Sequence, residues 1–163
     1  DLAHNADRYP WVTESYGLYT WAFQHFVRRL RLYCPEYVSF MWSPSGGSAV
    51  KEFYPGDDYV DLIGCSVYSF AAWDLKYYGY VRSFQQVMNE RYSNLYKYNK
   101  EIIVAEFGAA KGSSQSAWIS DALFCSPFYC LLKGLVYFNA PDSVSWGYNL
   151  PPPDFGISEL IWK

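Results

Sequence analysis

Apolar positions in residues 16–32, "YGLYTWAFQHFVRRLRL", recur at helical spacing: Tyr19, Phe23, Phe26 and Leu30 share one face, and Gln24, Arg28 and Arg31 take the other. The pattern predicts a helix packed through its aromatic face, with "VRRLRL" as its wet side. "YVSFMW" is a short β-rich run followed by Ser-Pro-Ser-Gly-Gly, and "YVDLIGCSVYSF", entered through the turn residues of "YPGDD", is a second. Ser83 then caps a helix whose stripe is Phe84, Val87, Met88, Tyr92 and Leu95, and the chain turns at Asn99. The strand "EIIVAEFG" follows at once. "SSQSAWISDALFC" reads as a serine-capped helix, "GLVYFN" as a further strand and "PDSVSWGYNLPPPDFG" as a long Pro/Gly-rich loop.

Near-continuous apolar strands alternating with amphipathic helices are how parallel strands covered on both faces look. An α/β architecture is predicted. There is no internal repeat and no low-complexity tract, and 163 residues are enough for one core, so residues 1–163 are expected to form a single domain.

In such proteins the chemistry collects beyond the C-terminal ends of the strands. Glu106, which ends an apolar strand and precedes Phe-Gly-Ala-Ala, is predicted to stand there. Trp42 after the first strand, Tyr68 after the second and Trp146 in the loop beyond Asn139 would share that edge. An acid, a phenol and two indoles describe a sugar-binding cleft. For each ring alone, core packing is an equal expectation.

Composition bears on partners. Seven Trp, seventeen Tyr and eleven Phe make 21% of the chain, a surplus that suits stacking on the C–H faces of sugars and equally suits an aromatic core. A formal charge of -3 and the absence of a dense basic patch exclude nucleic acid as a natural partner. No apolar run approaches the roughly 18 residues that cross a bilayer. Cys34, Cys65, Cys125 and Cys130 lack the paired spacing of a zinc site, so no metal and no cofactor is expected. Cys125 and Cys130 bracket "SPFY" and are either a local disulfide or two thiols.

"FYPGDDYVDLIGCSVYSF", "EIIVAEFGAA", "SAWISDAL" and "GLVYFN", in this order, resemble the later part of glycoside hydrolase family 26. The resemblance covers nearly the whole chain. It implies a (β/α)8 TIM barrel, with this chain running from about the end of the fourth strand to the eighth βα unit. It implies a retaining endo-β-glycanase acting outside the cell on a polysaccharide or oligosaccharide such as β-mannan or β-glucan. By the family's motif Glu106 is the nucleophile and Tyr68 orients it. Trp146 becomes the stacking tryptophan after the eighth strand, and Trp42 an aromatic subsite wall after the fifth.

The start of the chain, "AHNADRYPWVTESYGLY", is similar to the family's acid/base region. His4 matches its histidine and Trp11 its aromatic end, which implies substrate contacts. The acid/base position falls on Asn5, and an amide cannot donate and recover a proton at neutral pH. Three explanations stand open: a relative that binds polysaccharide without cutting it, a displaced acid at Asp7 or Glu14, or a different register across the motif. Strands one to four of the barrel precede the matched region, so the resemblance also implies a fragment of a longer protein or a barrel completed by a companion segment.

Overall fold

A computed structural model describes residues 15–34, 36–44 and 51–157. The elements follow the order α1 (Tyr16–Tyr33), β1 (Met41–Trp42), β2 (Leu62–Ser69), α2 (Ala71–Tyr78), α3 (Phe84–Leu95), β3 (Glu101–Ala109), α4 (Gln115–Cys125) and β4 (Leu132–Tyr137). The strands form one sheet in the order β1-β2-β3-β4, and every pairing is parallel. This is the predicted α/β order with one helix added: α2, where the sequence reading leaves the segment after the second strand unassigned.

Local chemistry explains the element ends. Ser15 accepts from the Leu18 backbone N–H to start α1, and Ser83 with Gln86 closes a reciprocal capping box on α3. Gly79, at φ 79°, ends α2 in the left-handed region that glycine enters without strain.

Strand alternation divides the sheet into two faces. Ile63, Cys65 and Val67 of β2, with Ile102, Val104 and Phe107 of β3, face the helices and pack with Phe84, Val87, Met88 and Leu95 of α3 and Trp118, Ile119 and Ala122 of α4. Met88 and Leu95 are wholly buried, each worth about 1.5–3 kcal/mol of apolar transfer. The other face carries Met41, Gly64, Ser66, Tyr68, Glu106 and Gly108.

The α1 stripe differs by one residue from its prediction. Val27 is the buried residue, while Phe26 is 58% exposed and meets the Phe40 ring at right angles, 6.4 Å between centroids. The arginines of the polar face are exposed, as expected, and the face also clasps the next loop. Gln24 donates to the Pro55 carbonyl at 2.7 Å, Arg31 reaches the Asp58 carbonyl and Asp61, and Arg28 lies over the Tyr59 ring.

Of the two cysteine alternatives, the structure has the thiols. Cys125 is buried and Cys130 exposed, both free. Cys130 Sγ lies 3.3 Å from the Tyr92 hydroxyl, and burial first, then Asp121, pushes the Cys125 thiol up.

Candidate active site

The carboxylate reaches the inner face through a bulge. Val104 pairs with Cys65 and faces the helices; continued alternation would send Glu106 the same way. Two residues of β3, Ala105 and Glu106, instead oppose Ser66 alone, and the extra residue resets the phase. Glu106 therefore shares a face with Ser66 and Tyr68, and Phe107 turns back into the core against Phe84, Trp118 and Tyr137. The half-buried Glu106 accepts a hydrogen bond from the Tyr68 hydroxyl, 2.9 Å from Oε2.

Tyr68 is wedged rather than free to swing. Its ring lies 4.7 Å from Phe155, tilted, and meets Trp146 and Phe138 edge to face at 5.7 and 6.2 Å. Beneath it is Gly108, where a Cβ would stand 3.0 Å from both Tyr68 and Phe155 ring carbons. A side chain here would require the Tyr68 or Phe155 ring to give by a few tenths of an ångström.

The loop after β4 closes over this edge and is tied down at several points. Trp146 donates its indole N–H to Asp142 at 2.9 Å, and its carbonyl accepts from the Trp73 indole of α2 at 3.1 Å. Tyr137 donates to the Phe155 carbonyl at 2.8 Å, and Gln115 donates to the carbonyls of Ala109 and Gly156. Lys111 holds Asp154 at 2.7 Å; that hydrogen bond, with the Gly156 N–H, lowers the Asp154 carboxyl below its ordinary value. Phe155 is held with no exposure at all, forming the floor under Tyr68.

Three of the sequence-predicted residues, Glu106, Tyr68 and Trp146, come together at the C-terminal edge. Trp42 does not. It pairs with Ile63 at the start of β2, about five residues below Tyr68, and on the helix-facing side; its ring packs edge to face on Tyr54 and Tyr98 and is wholly buried. Alternation makes this unavoidable, because Met41 takes the inner face. His4, Asn5, Asp7, Trp11 and Glu14 lie outside the described residues. The residues not foreseen are Gly108, Phe155 and Trp73. A glycine following the carboxylate, and an aromatic pair at i, i+4 in "AAWDLKYYGY", were the available signs. Among the described residues no group of three or more His, Cys, Asp or Glu side chains is placed to hold a metal ion.

Parallel strands with intervening helices, bearing an acid and a phenol bonded together at the C-terminal edge, define a portion of a (β/α)8 barrel. The chain belongs to glycosyl hydrolase family 26, whose pattern matches residues 9–145. It is 28% identical over 164 aligned positions to Endoglucanase H of Acetivibrio thermocellus, covering 91% of this chain and 18% of that protein. The catalytic domain of a Bacillus sp. endo-β-1,4-mannanase superposes with a TM-score of 0.61 at 18% identity, over 86% of this chain and 38% of that one. A β-mannanase from Bacteroides ovatus gives 0.58 at 27% identity, over 77% and 36%. The chain thus spans well under half the length of each of these relatives.

Proposed function

We propose that this chain carries the nucleophile half of a retaining endo-β-glycanase centre. The observation that supports the reading is the 2.9 Å hydrogen bond from Tyr68 to Glu106 on the inner face of the sheet. A phenol that donates to one oxygen of a carboxylate orients the group and leaves the other oxygen free to attack. In the first step that oxygen forms a bond to the anomeric carbon as the glycosidic oxygen leaves with a proton; in the second, water releases the sugar. Trp146, set beside Tyr68, offers a face for the ring being cleaved.

The relatives' names, mannanases and an endoglucanase, support a β-linked mannan or glucan backbone as the substrate class. No described helix is long and apolar enough to cross a membrane.

Retaining chemistry needs a second carboxyl about 5–5.5 Å from the first. Asn5 at the matching position supports a second reading, a relative that holds glycan without cutting it, while Asp7 and Glu14 are the acids that would serve a displaced donor.

The test is reducing-sugar release from mannan, mixed-linkage β-glucan and xylan by the full-length protein beside its Glu106→Gln variant. Release by the parent that the variant lacks, by a factor of at least about a thousand, is the expected result. Equal release by both would remove Glu106 from its role. No release by either, with one polymer still bound, selects the non-cutting reading.

A further inference from the structure

The rings around Glu106 do not stop at Trp146. Trp73 meets Trp146 at 6.3 Å, stacks on Tyr77 one helical turn along α2 at 4.8 Å and 7°, and meets Tyr148 at 6.5 Å; Tyr77 and Tyr148 are 6.3 Å apart. An unbroken series of ring contacts therefore runs from Tyr68 outward to Tyr77 and Tyr148, which are 57% and 48% exposed.

Tyr148 is held there at a conformational cost. Gly147, Tyr148 and Asn149 have φ of 95°, 56° and 55° in succession. Glycine and asparagine tolerate that region; a tyrosine does not without strain. The half-exposed ring recovers little of this by burial. The conformation is nonetheless fixed, with Lys76 donating to the Tyr148 carbonyl at 3.3 Å and the Leu150 N–H to that of Gly147 at 3.1 Å. Backbone strain held beneath a half-exposed aromatic points to a ligand.

We propose that Tyr77 and Tyr148 form a distal shelf that binds the backbone of a β-linked polysaccharide, extending the cleft beyond the Glu106 centre. The occupant is assigned from continuity with that centre and from the shape of the groups. Tyr77 keeps one ring face on Trp73 and is otherwise substantially exposed, as is Tyr148, so each presents apolar ring surface beside a polar hydroxyl tip. That combination matches a sugar, with its C–H face and hydroxyl rim, better than the apolar anchor of a protein. The inference deepens the glycan reading of the mouth, and it does not require turnover.

The experiment is affinity electrophoresis of the full-length protein, in a Glu106→Gln background, through gels containing soluble galactomannan, mixed-linkage β-glucan or xylan. Tyr77→Ala and Tyr148→Gly are each expected to weaken retardation by one of these polymers about two- to tenfold, the range for loss of one aromatic stack. Tyr148→Gly also relieves the backbone, so its thermal midpoint should hold or rise while binding falls. A ring that merely supports the loop predicts the reverse, a lower midpoint with binding unchanged. Unchanged retardation in both variants, or no retardation of the parent by any polymer, overturns the shelf. Where the parent cleaves, the variants should lose kcat/KM on polymer and keep it on a trisaccharide; equal loss on both also overturns it. Absence of turnover with retardation intact bears on the nucleophile and leaves the shelf standing.

Discussion

Tyr68 meets Glu106 because Gly108 leaves room for the phenol ring to lie flat along β3. A methyl group at Gly108 would come within 3.0 Å of ring carbons of both Tyr68 and Phe155. Phe155 has no exposure and little freedom to yield, so Gly108→Ala should cost about 1–3 kcal/mol of stability and move the phenol. Urea unfolding and sugar release read the two effects; a variant as stable and as active as the parent would show that the contact is soft. Tyr68→Phe separates the hydrogen bond from the packing. It keeps the ring in its wedge and removes the hydroxyl that donates to the carboxylate, a bond worth roughly 1.5–3 kcal/mol. Turnover should fall by about ten- to a hundredfold while the thermal midpoint scarcely changes. A large fall in midpoint with unchanged rate would make the hydroxyl a group of structure alone.

At the scale of elements, α2 is what joins the mouth to the distal rings, and one ion pair holds it. Asp74 is 1% exposed and accepts from the Arg82 backbone N–H at 3.1 Å and from its guanidinium at 3.0 Å, across the turn that follows the helix. Arg82 in turn lies over the Tyr78 ring at 4.2 Å, and its carbonyl receives the Trp118 indole of α4. Asp74→Ala leaves a nearly buried guanidinium with only the longer Glu90 pair at 3.7 Å and should cost roughly 3–5 kcal/mol. Denaturant titration checks this, and a loss under 1 kcal/mol would mean that water or Glu90 takes over. None of it was legible in the sequence, since α2 has no side-chain cap at Phe70 and its aromatic residues resemble a loop's as much as a helix's. Ser83, by contrast, announced α3, because Ser and Gln three apart are the two halves of a capping box. Glu106 was legible as an acid within an apolar strand, though the strand runs on to Ala109 rather than ending at it. The bulge that turns it inward was not legible: apolar residues at 102, 104, 107 and 109 slip phase by one, and that slip alone carries the information. Trp42 was misplaced because its side of the sheet is set by its pairing with Ile63, which the sequence alone does not show.

For the molecule as a whole, the loop from 138 to 157 determines whether these parts cohere, since it carries Trp146, Tyr148 and Phe155 across the ends of the strands. One of its anchors is Lys111, whose backbone N–H reaches the Asp154 carbonyl and whose ammonium reaches the carboxylate, each at 2.7 Å. The Asp154 carboxyl is lowered from 3.8, by the Lys111 hydrogen bond first and the Gly156 N–H next. A carboxyl depressed by folding stabilises the folded state fully above its unfolded value, and that contribution is lost as pH falls through the folded value. The anchor therefore acts at neutral pH and fades only in strong acid, below about pH 4. Lys111→Met should unfold at a lower temperature than the parent at pH 7, and the gap between them should narrow as the pH is taken from 4 to 2. Both partners are substantially exposed, so solvent and salt screen the pair, and the gap should shrink in 1 M NaCl as well. A gap that is constant with pH would assign the effect to the lysine's aliphatic stem instead. Because the loop bears the rings of both the centre and the shelf, the same variant should weaken polymer binding near neutrality and approach the parent in acid. A binding defect that ignores pH would mean that the loop keeps its position without this pair.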